Sequence, residues 1–266
     1  DFAMKIAGQV ALITGGCGGL GKAFAEILLK CGAKVCLVDL NLTQDSQQQL
    51  NEMYGKSVVF KQCDVTNRQS LKDTFEFTKC TFGRLDIVAN NAGICDEVNW
   101  EKQISVNLSA IIRGTYLGLD YMRKDNGGNG GVIINIASMT GLIPLFTIPV
   151  YTATKHGVVG FSRAIGTDAR FSEQQVRCNV LCPSFTYTNI LKYFDNDGEL
   201  NAVSRAMISA ADILEPSTVA RGFLRLVEDD TLNGEVMRVT PHKGIDIKLY
   251  PRAETLRLPP ELISKL

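Results

Sequence analysis

At 266 residues the chain is long enough to bury a sizeable core as one α/β domain. Its 28 acidic and 28 basic residues cancel, which excludes the charge excess that binds nucleic acid or an anionic membrane surface. The eight cysteines (Cys17, Cys31, Cys36, Cys63, Cys80, Cys95, Cys178 and Cys182) lack paired metal-ligand spacing and mostly sit in apolar runs, so they read as small buried hydrophobes of a reducing compartment, with neither a metal site nor disulfides.

Asp1-Phe2-Ala3 precedes Met4 and is left out of the fold reading; no signal-peptide-like apolar stretch follows, and a cytoplasmic location is expected. Strand-like runs then recur at Val10–Thr14, Lys34–Asp39, Ser57–Gln62, Asp86–Asn90, Gly131–Ala137, Val176–Leu181 and Val236–Val239. The first six are rich in β-branched residues and do not alternate, as strands covered on both faces should not. Helical patterns separate them, such as Phe24, Ile27, Leu28 and Cys31 on one face. The alternation predicts a single-domain, doubly wound Rossmann fold with a parallel sheet of about seven strands and helices on both faces.

Val10–Thr14 runs directly into Gly15-Gly16-Cys17-Gly18-Gly19-Leu20-Gly21 and then a helical pattern. Glycines at such a turn let backbone amides approach a pyrophosphate resting on the positive end of the following helix. Cys17 would face that ligand as a small residue that fits. The second strand ends in Asp39, twenty residues past Gly19. A carboxylate there accepts hydrogen bonds from both adenosine ribose hydroxyls and repels a 2′-phosphate. Neither Gly18 nor Leu40 offers a positive charge to hold such a phosphate, so the expected cofactor is NAD.

The second glycine run, Gly127-Gly128-Asn129-Gly130-Gly131, precedes a strand and reads as a flexible connection. No charge occurs between Asp125 and Lys155, a stretch long enough to span a bilayer, but Asn135, Gly141, Pro144 and Pro149 interrupt it. A buried strand and an apolar loop are expected there, without membrane insertion.

Tyr151 and Lys155 lie four residues apart and share one face of a predicted helix. An ammonium ~4 Å from the phenol, at an effective dielectric of ~20, favours the phenolate by ~4 kcal/mol, or about three pKa units. Tyr151 would then serve as an acid–base group, with the Ser138 hydroxyl nearby. Residues 189–212, with the turn cluster Asp195-Asn196-Asp197-Gly198, break the rhythm where a substrate lid would lie. Residues 241–266 carry spaced prolines and read as an extended tail.

With Thr14-Gly15-x-x-x-Gly19-x-Gly21, Asn90-Asn91-Ala92-Gly93, Asn107, Ser138 and Tyr151-x-x-x-Lys155 in order, the chain resembles the short-chain dehydrogenase/reductase family from residue 6 to about residue 240. Asn99-Trp100-Glu101-Lys102, Gly114–Met122 and Tyr151–Gly160 look like its hydroxyprostaglandin-oxidising branch. The resemblance implies that Asp64 and Val65 hold the adenine and Asn91 contacts the cofactor. It implies that Lys155 also bonds the nicotinamide ribose, and that Asn107 holds a water linking Lys155 to solvent. It places Pro183, Phe185, Thr186 and Thr188 at the nicotinamide, with Ser184 where the family has glycine. A homodimer or homotetramer is implied as well, with the tail crossing to a partner or closing the site.

The reaction expected is reversible oxidation of a secondary alcohol, with Tyr151 as base, Ser138 orienting the substrate oxygen, and Lys155 and Asn107 relaying the proton. The alternatives are ketone reduction by the same groups and a non-catalytic NAD(H)-binding scaffold. The hydroxyprostaglandin branch carries glutamine where this chain has Ile148, and paired tyrosines near Met207–Ala211, which are absent here. Phe146, Ile148 and Phe185, with Leu142, Ile143 and Leu145, suggest an apolar wall. A hydrophobic alcohol or ketone (lipid, terpenoid, steroid or prostaglandin-like) is therefore the expected small-molecule partner.

Overall fold

Runs of aliphatic residues without alternation become strands buried on both faces. In the computed structural model, which describes residues 6–41, 44–195 and 199–250, β1 (Val10–Thr14) is buried at every position. β2 (Lys34–Asp39), β3 (Val58–Gln62), β4 (Ile87–Asn90), β5 (Gly131–Ile136), β6 (Val176–Pro183) and β7 (Val236–Thr240) join it in parallel. With β8 (Gly244–Ile247) at one edge, the sheet order is β3-β2-β1-β4-β5-β6-β7-β8.

The seven parallel strands are those expected, and an eighth, antiparallel strand adds to them. β8 (Gly244–Ile247) pairs antiparallel with β7, from Met237 opposite Ile247 to Thr240 opposite Gly244. The chain reverses within three residues, with Lys243 N–H donating to Thr240 Oγ1 at 3.2 Å and Gly244 at φ +67°. Such a short edge strand needs one covered face only, so it leaves little apolar pattern to read. The remainder of the expected tail, residues 251–266, lies outside the described residues, as do residues 1–3.

Helices cover both faces: α1 (Gly19–Lys30), α2 (Gln44–Tyr54), α3 (Arg68–Phe82), α4 (Trp100–Ile104), α5 (Ala110–Met122), α6 (Pro149–Gly166), α7 (Ala169–Ser172), α8 (Glu199–Ser209) and α9 (Pro216–Glu228). Ala11 and Ile13 of β1 face α1 and α9, where Phe24 stacks on Phe223 with ring centroids 4.3 Å apart. Val10 and Leu12 face the other way, onto Leu71 and Phe75 of α3 and Leu119 and Met122 of α5. α6 packs Val158 and Val159 against Val180 and Cys182 of β6. Fully burying one such aliphatic or aromatic side chain contributes about 1.5–3 kcal/mol, so the two layers fix the sheet between them.

The second glycine run is a tight, packed turn and not a slack connection. A Cβ on Gly128 would lie 2.2 Å from the Met122 carbonyl, and one on Gly131 would lie 2.3 Å from Asp86 O. The charge-free stretch after it forms β5, a 3-10 turn at Met139–Gly141 and the start of α6. No helix among the described residues is long and apolar enough to cross a membrane.

Because β1 has β2 on one side and β4 on the other, the chain reverses direction across the sheet at β1. A crevice opens at the carboxyl ends of the strands there.

Candidate active site

A cleft of about 690 Å³ runs along those strand ends, from Asp39 and Asp64 at one extreme to Tyr151, Ile148 and Phe194 at the other. At the first extreme, Gly18 is the N-cap of α1, with no side-chain cap bond, and the first turn has no acidic residue. Gly18, Gly19 and Leu20 line the cleft there, so the helix presents its positive end to an anion in it. Gly19 takes φ +50°, and a Cβ there would press on Thr188 at 3.1 Å. The loop is thus a cradle shaped by missing side chains, which is the test a dinucleotide must pass.

Asp39 is held at the end of β2 by the backbone: Cys17 N–H donates to its Oδ2 at 3.1 Å and Leu40 N–H to its Oδ1 at 2.8 Å. Gly15, Gly18, Gly19, Leu20, Leu40, Asp64 and Val65 all line the cleft, as do Pro183, Phe185, Thr186 and Thr188. Cys17 and Gly21 do not line it. Gly21 is a packing residue, since a Cβ there would lie 2.1 Å from Gly15 O. The Cys17 thiol is pushed up to about 11 by burial and then by the Asp39 charge, so it carries no thiolate at neutral pH.

Asn91 lines the cleft, but its amide is committed. Its Nδ2 donates to Thr14 O at 2.9 Å and Gly15 O at 3.0 Å, tying β4 to the glycine loop. Thr186 is similarly engaged, donating from Oγ1 to Ser184 O at 2.8 Å.

At the far extreme α6 presents Tyr151 and Lys155, both buried, on one face, and Lys155 Nζ lies 5.4 Å from the Tyr151 ring centroid. Nζ donates to Ile136 O at 2.9 Å. Burial lowers the ammonium to about 8, against smaller opposing effects from Cys182 and Cys95. Burial also raises the Tyr151 phenol well above its ordinary value; Cys95 adds to that and a hydrogen bond with Ser138 opposes it. Desolvation thus outweighs the depressed phenol expected from spacing alone.

Asn107 is fully buried and lies in a π-helical turn, Ser105–Ser109, between α4 and α5. Its Oδ1 accepts from Ile94 N–H at 2.9 Å and its Nδ2 donates to Ile94 O at 2.8 Å. A Cβ on Gly93 would stand 3.5 Å from Asn107 Oδ1 and 3.6 Å from Lys155 Nζ, so the three residues converge. Ser138 sits just past β5, its Oγ accepting from Thr140 N–H at 3.2 Å. The geometry brings all four expected catalytic side chains to one end of the cleft.

The cleft joins the glycine-loop cradle to a cluster of half-buried Ser138 and buried Tyr151, Lys155 and Asn107. A family model described as short chain dehydrogenase matches residues 9–198. The chain belongs to the short-chain dehydrogenase family. It is 46% identical over 256 residues to 15-hydroxyprostaglandin dehydrogenase [NAD(+)] of Mus musculus, covering 93% of this chain and 95% of that one. It is 33% identical over 249 residues to 3beta-hydroxysteroid dehydrogenase 2 of Eggerthella lenta, covering 88% and 94%. The crystal structure of levodione reductase superposes with a TM-score of 0.76 at 25% identity, covering 88% of this chain and 96% of that one.

In this short-chain dehydrogenase the wall beside Tyr151 is largely apolar, and two of the six residues named for it, Leu142 and Phe146, do not line the cleft. Ile148 is buried beside Cys95, Tyr151 and Phe194. Phe185, Ile143 and Leu145 line the cleft, whereas Phe146 does not and is 68% exposed. The loop backbone turns Phe146 outward while its neighbours turn in. Ile190, Leu191 and Phe194, from the 3-10 segment Asn189–Asp195, and Met207 of α8 complete the wall, so part of residues 189–212 lines the cleft. Of the turn cluster, residues 196–198 lie outside the described residues.

Cys95 carried no signal in the sequence, because a lone cysteine in a polar loop marks nothing. The structure buries it against Tyr151, and burial, then Glu97 and Asp96, push its thiol up to about 12. Gly93 was readable only as part of the Asn-Asn-Ala-Gly pattern. The lid residues were hidden by a pattern too weakly amphipathic to say which side faces inward.

Proposed function

We propose that this chain is an NAD-dependent alcohol dehydrogenase that interconverts a hydrophobic secondary alcohol and its ketone. The observation that carries the reading is one continuous cleft, with the Asp39 carboxylate at one end and, at the other, Ser138 beside buried Tyr151, Lys155 and Asn107.

Asp39 accepts the adenosine ribose hydroxyls and disfavours a 2′-phosphate. The start of α1, at Gly18, Gly19 and Leu20, would receive the pyrophosphate, and Asp64 and Val65 would flank the adenine. Pro183, Phe185, Thr186 and Thr188 would border the nicotinamide. When bound, NAD supplies the acceptor for the hydride that leaves the carbinol carbon.

Ser138 donates a hydrogen bond to the substrate oxygen. Tyr151, as phenolate, removes the hydroxyl proton as the carbonyl forms. Lys155 is still mostly protonated at neutral pH, with a value of about 8, and its charge favours that phenolate. The proton then passes by way of Lys155 toward a water held near Asn107 and Gly93. Run backwards, the same residues reduce a ketone.

The substrate class rests on the wall made by Ile148, Leu145, Ile190, Leu191 and Phe194. It suits a lipid, terpenoid or steroid alcohol better than a prostaglandin bearing several polar groups, which would leave hydroxyls unpaired against it. The enzyme works as a homodimer or homotetramer in the cytoplasm.

The test is NAD-linked turnover on a panel: a 3β-hydroxysteroid, a long-chain secondary alcohol and a 15-hydroxyprostaglandin. The steroid or the long-chain alcohol is expected to be fastest, and fast prostaglandin turnover overturns the substrate reading. Tight NADH binding without turnover of any alcohol overturns the dehydrogenase reading in favour of a scaffold. Light scattering after size exclusion tests the assembly, which a monomer refutes.

A further inference from the structure

The first turn of α6 cannot cap itself. Ile148 occupies the N-cap position with an apolar side chain, and Pro149 at the next position has no N–H. Thr152 N–H is met by Ile148 O at 2.9 Å. The N–H groups of Val150 and Tyr151 are left over. Both find the same carboxylate, far back in the chain. Val150 N–H donates to Glu97 Oε2 at 3.0 Å and Tyr151 N–H to Glu97 Oε1 at 2.8 Å.

Glu97 is itself held on two other sides. Its Oε1 also accepts from Gln103 Nε2 at 3.1 Å, while the Oε1 of that fully buried Gln103 accepts from Asp96 N–H at 2.7 Å. The Glu97 N–H donates to Tyr193 Oη at 3.3 Å, within the 3-10 segment that lines the cleft. One residue therefore joins the loop after β4, the start of the helix that bears Tyr151, and the segment that lines the substrate end.

We propose that Glu97 is a positioning residue for Tyr151. A carboxylate at a helix N-terminus is stabilised by the helix dipole, and charge-assisted hydrogen bonds are the strong ones. A serine or aspartate at position 148 would satisfy the same N–H groups locally, but it would leave the helix free to shift against the opposite wall. The long-range carboxylate fixes the Tyr151 backbone relative to Cys95 on that wall and to Tyr193 above. Acid–base chemistry depends on such registration, since a displacement of about 1 Å costs on the order of 100-fold in rate.

The inference rests on the dehydrogenase reading, whose failure would show as absent turnover in the unaltered protein. The experiment compares Glu97→Ala and Glu97→Gln with the parent, using the fastest alcohol of the panel above with deuterium on its carbinol carbon. Turnover is divided by the number of NADH-binding sites counted by fluorescence titration, so that unfolded protein does not enter. For Glu97→Ala, kcat per site is expected to fall about ten-fold or more while the KM for NAD changes by less than about two-fold. The deuterium isotope effect on kcat should be at least as large as in the parent, because hydride transfer is what slows. Glu97→Gln keeps one acceptor oxygen and should recover part of the loss. Parent-like kcat per site in Glu97→Ala overturns the proposal and leaves the carboxylate a role in folding alone. If Glu97→Ala binds no NADH, parent-like kcat per site in Glu97→Gln overturns it equally.

Discussion

Lys155 Nζ donates to the carbonyl of Ile136 at 2.9 Å, which fastens α6 to the end of β5 two residues before Ser138. One hydrogen bond therefore ties the helix that carries Tyr151 to the strand that leads to Ser138, the proposed base and the proposed substrate-orienting hydroxyl. It also holds an ammonium in a buried site, at a cost that depends on pH.

That cost predicts an unusual pH dependence of stability. Lys155 has a folded-state value of about 8, below the 10.5 of the unfolded chain. Below pH 8 both states carry the proton and the penalty of the buried charge is fully present. Between pH 8 and 10.5 the folded lysine releases its proton first, so the penalty is relieved as pH rises. Lys155→Met removes the charge, so its stability relative to the parent should decline by about 3 kcal/mol across that window. Denaturant unfolding at pH 7 and pH 10 checks this; a gap that is equal at the two pH values contradicts it.

Tyr151→Phe should leave NADH affinity within about two-fold while kcat falls by about 100-fold to 10,000-fold, the usual range for a lost acid–base group. Fluorescence titration alongside steady-state rates separates the two. Turnover near that of the parent would remove Tyr151 from the mechanism.

Asp39→Ala should weaken NAD more than NADP. In the proposed reading the carboxylate would meet the ribose hydroxyls, and its removal also takes away the acceptor of the Cys17 and Leu40 N–H groups, now held at 3.1 Å and 2.8 Å. The ratio of kcat/KM for NAD to that for NADP should fall about ten-fold or more, the equivalent of ~1.4 kcal/mol. An unchanged ratio argues against this role for Asp39.

Ser204 Oγ donates to Thr147 Oγ1 at 2.8 Å, and both side chains are buried, which pins α8 to the loop before Ile148. Ser204→Ala should raise the KM for the alcohol several-fold and lower stability by about 1 kcal/mol, with the KM for NAD unchanged. A rise in both KM values would mean that the contact supports the whole fold and not the lining of the substrate end.

Ile148→Gln tests the apolar wall. Burying an amide in the 3% exposed site beside Tyr151 and Phe194 should cost about 1–3 kcal/mol and lower kcat/KM for an apolar alcohol. A polar alcohol that can bond the new amide should lose less, or gain. Equal effects on both would indicate that position 148 does not meet the substrate.

Several features of this protein were determined along the chain itself. The parallel strands follow from unbroken aliphatic runs, because a strand covered on both faces has no polar side to alternate with. The glycine turn with Asp39 twenty residues after Gly19, and Tyr151 with Lys155 on one helix face, are likewise local. Each depends on spacing within one or two elements, and spacing survives in the sequence. β8 escaped notice because an edge strand of four residues demands so little of its composition.

Tertiary structure decided whatever depends on what stands opposite. Burial of the Tyr151–Lys155 pair reversed the expected direction for the phenol, since desolvation is set by neighbours the spacing does not name. Phe146 points outward and Cys95 inward for the same reason. Glu97 reaches Tyr151 across 54 residues of chain, a contact that exists only because the sheet places the end of β4 beside the start of α6.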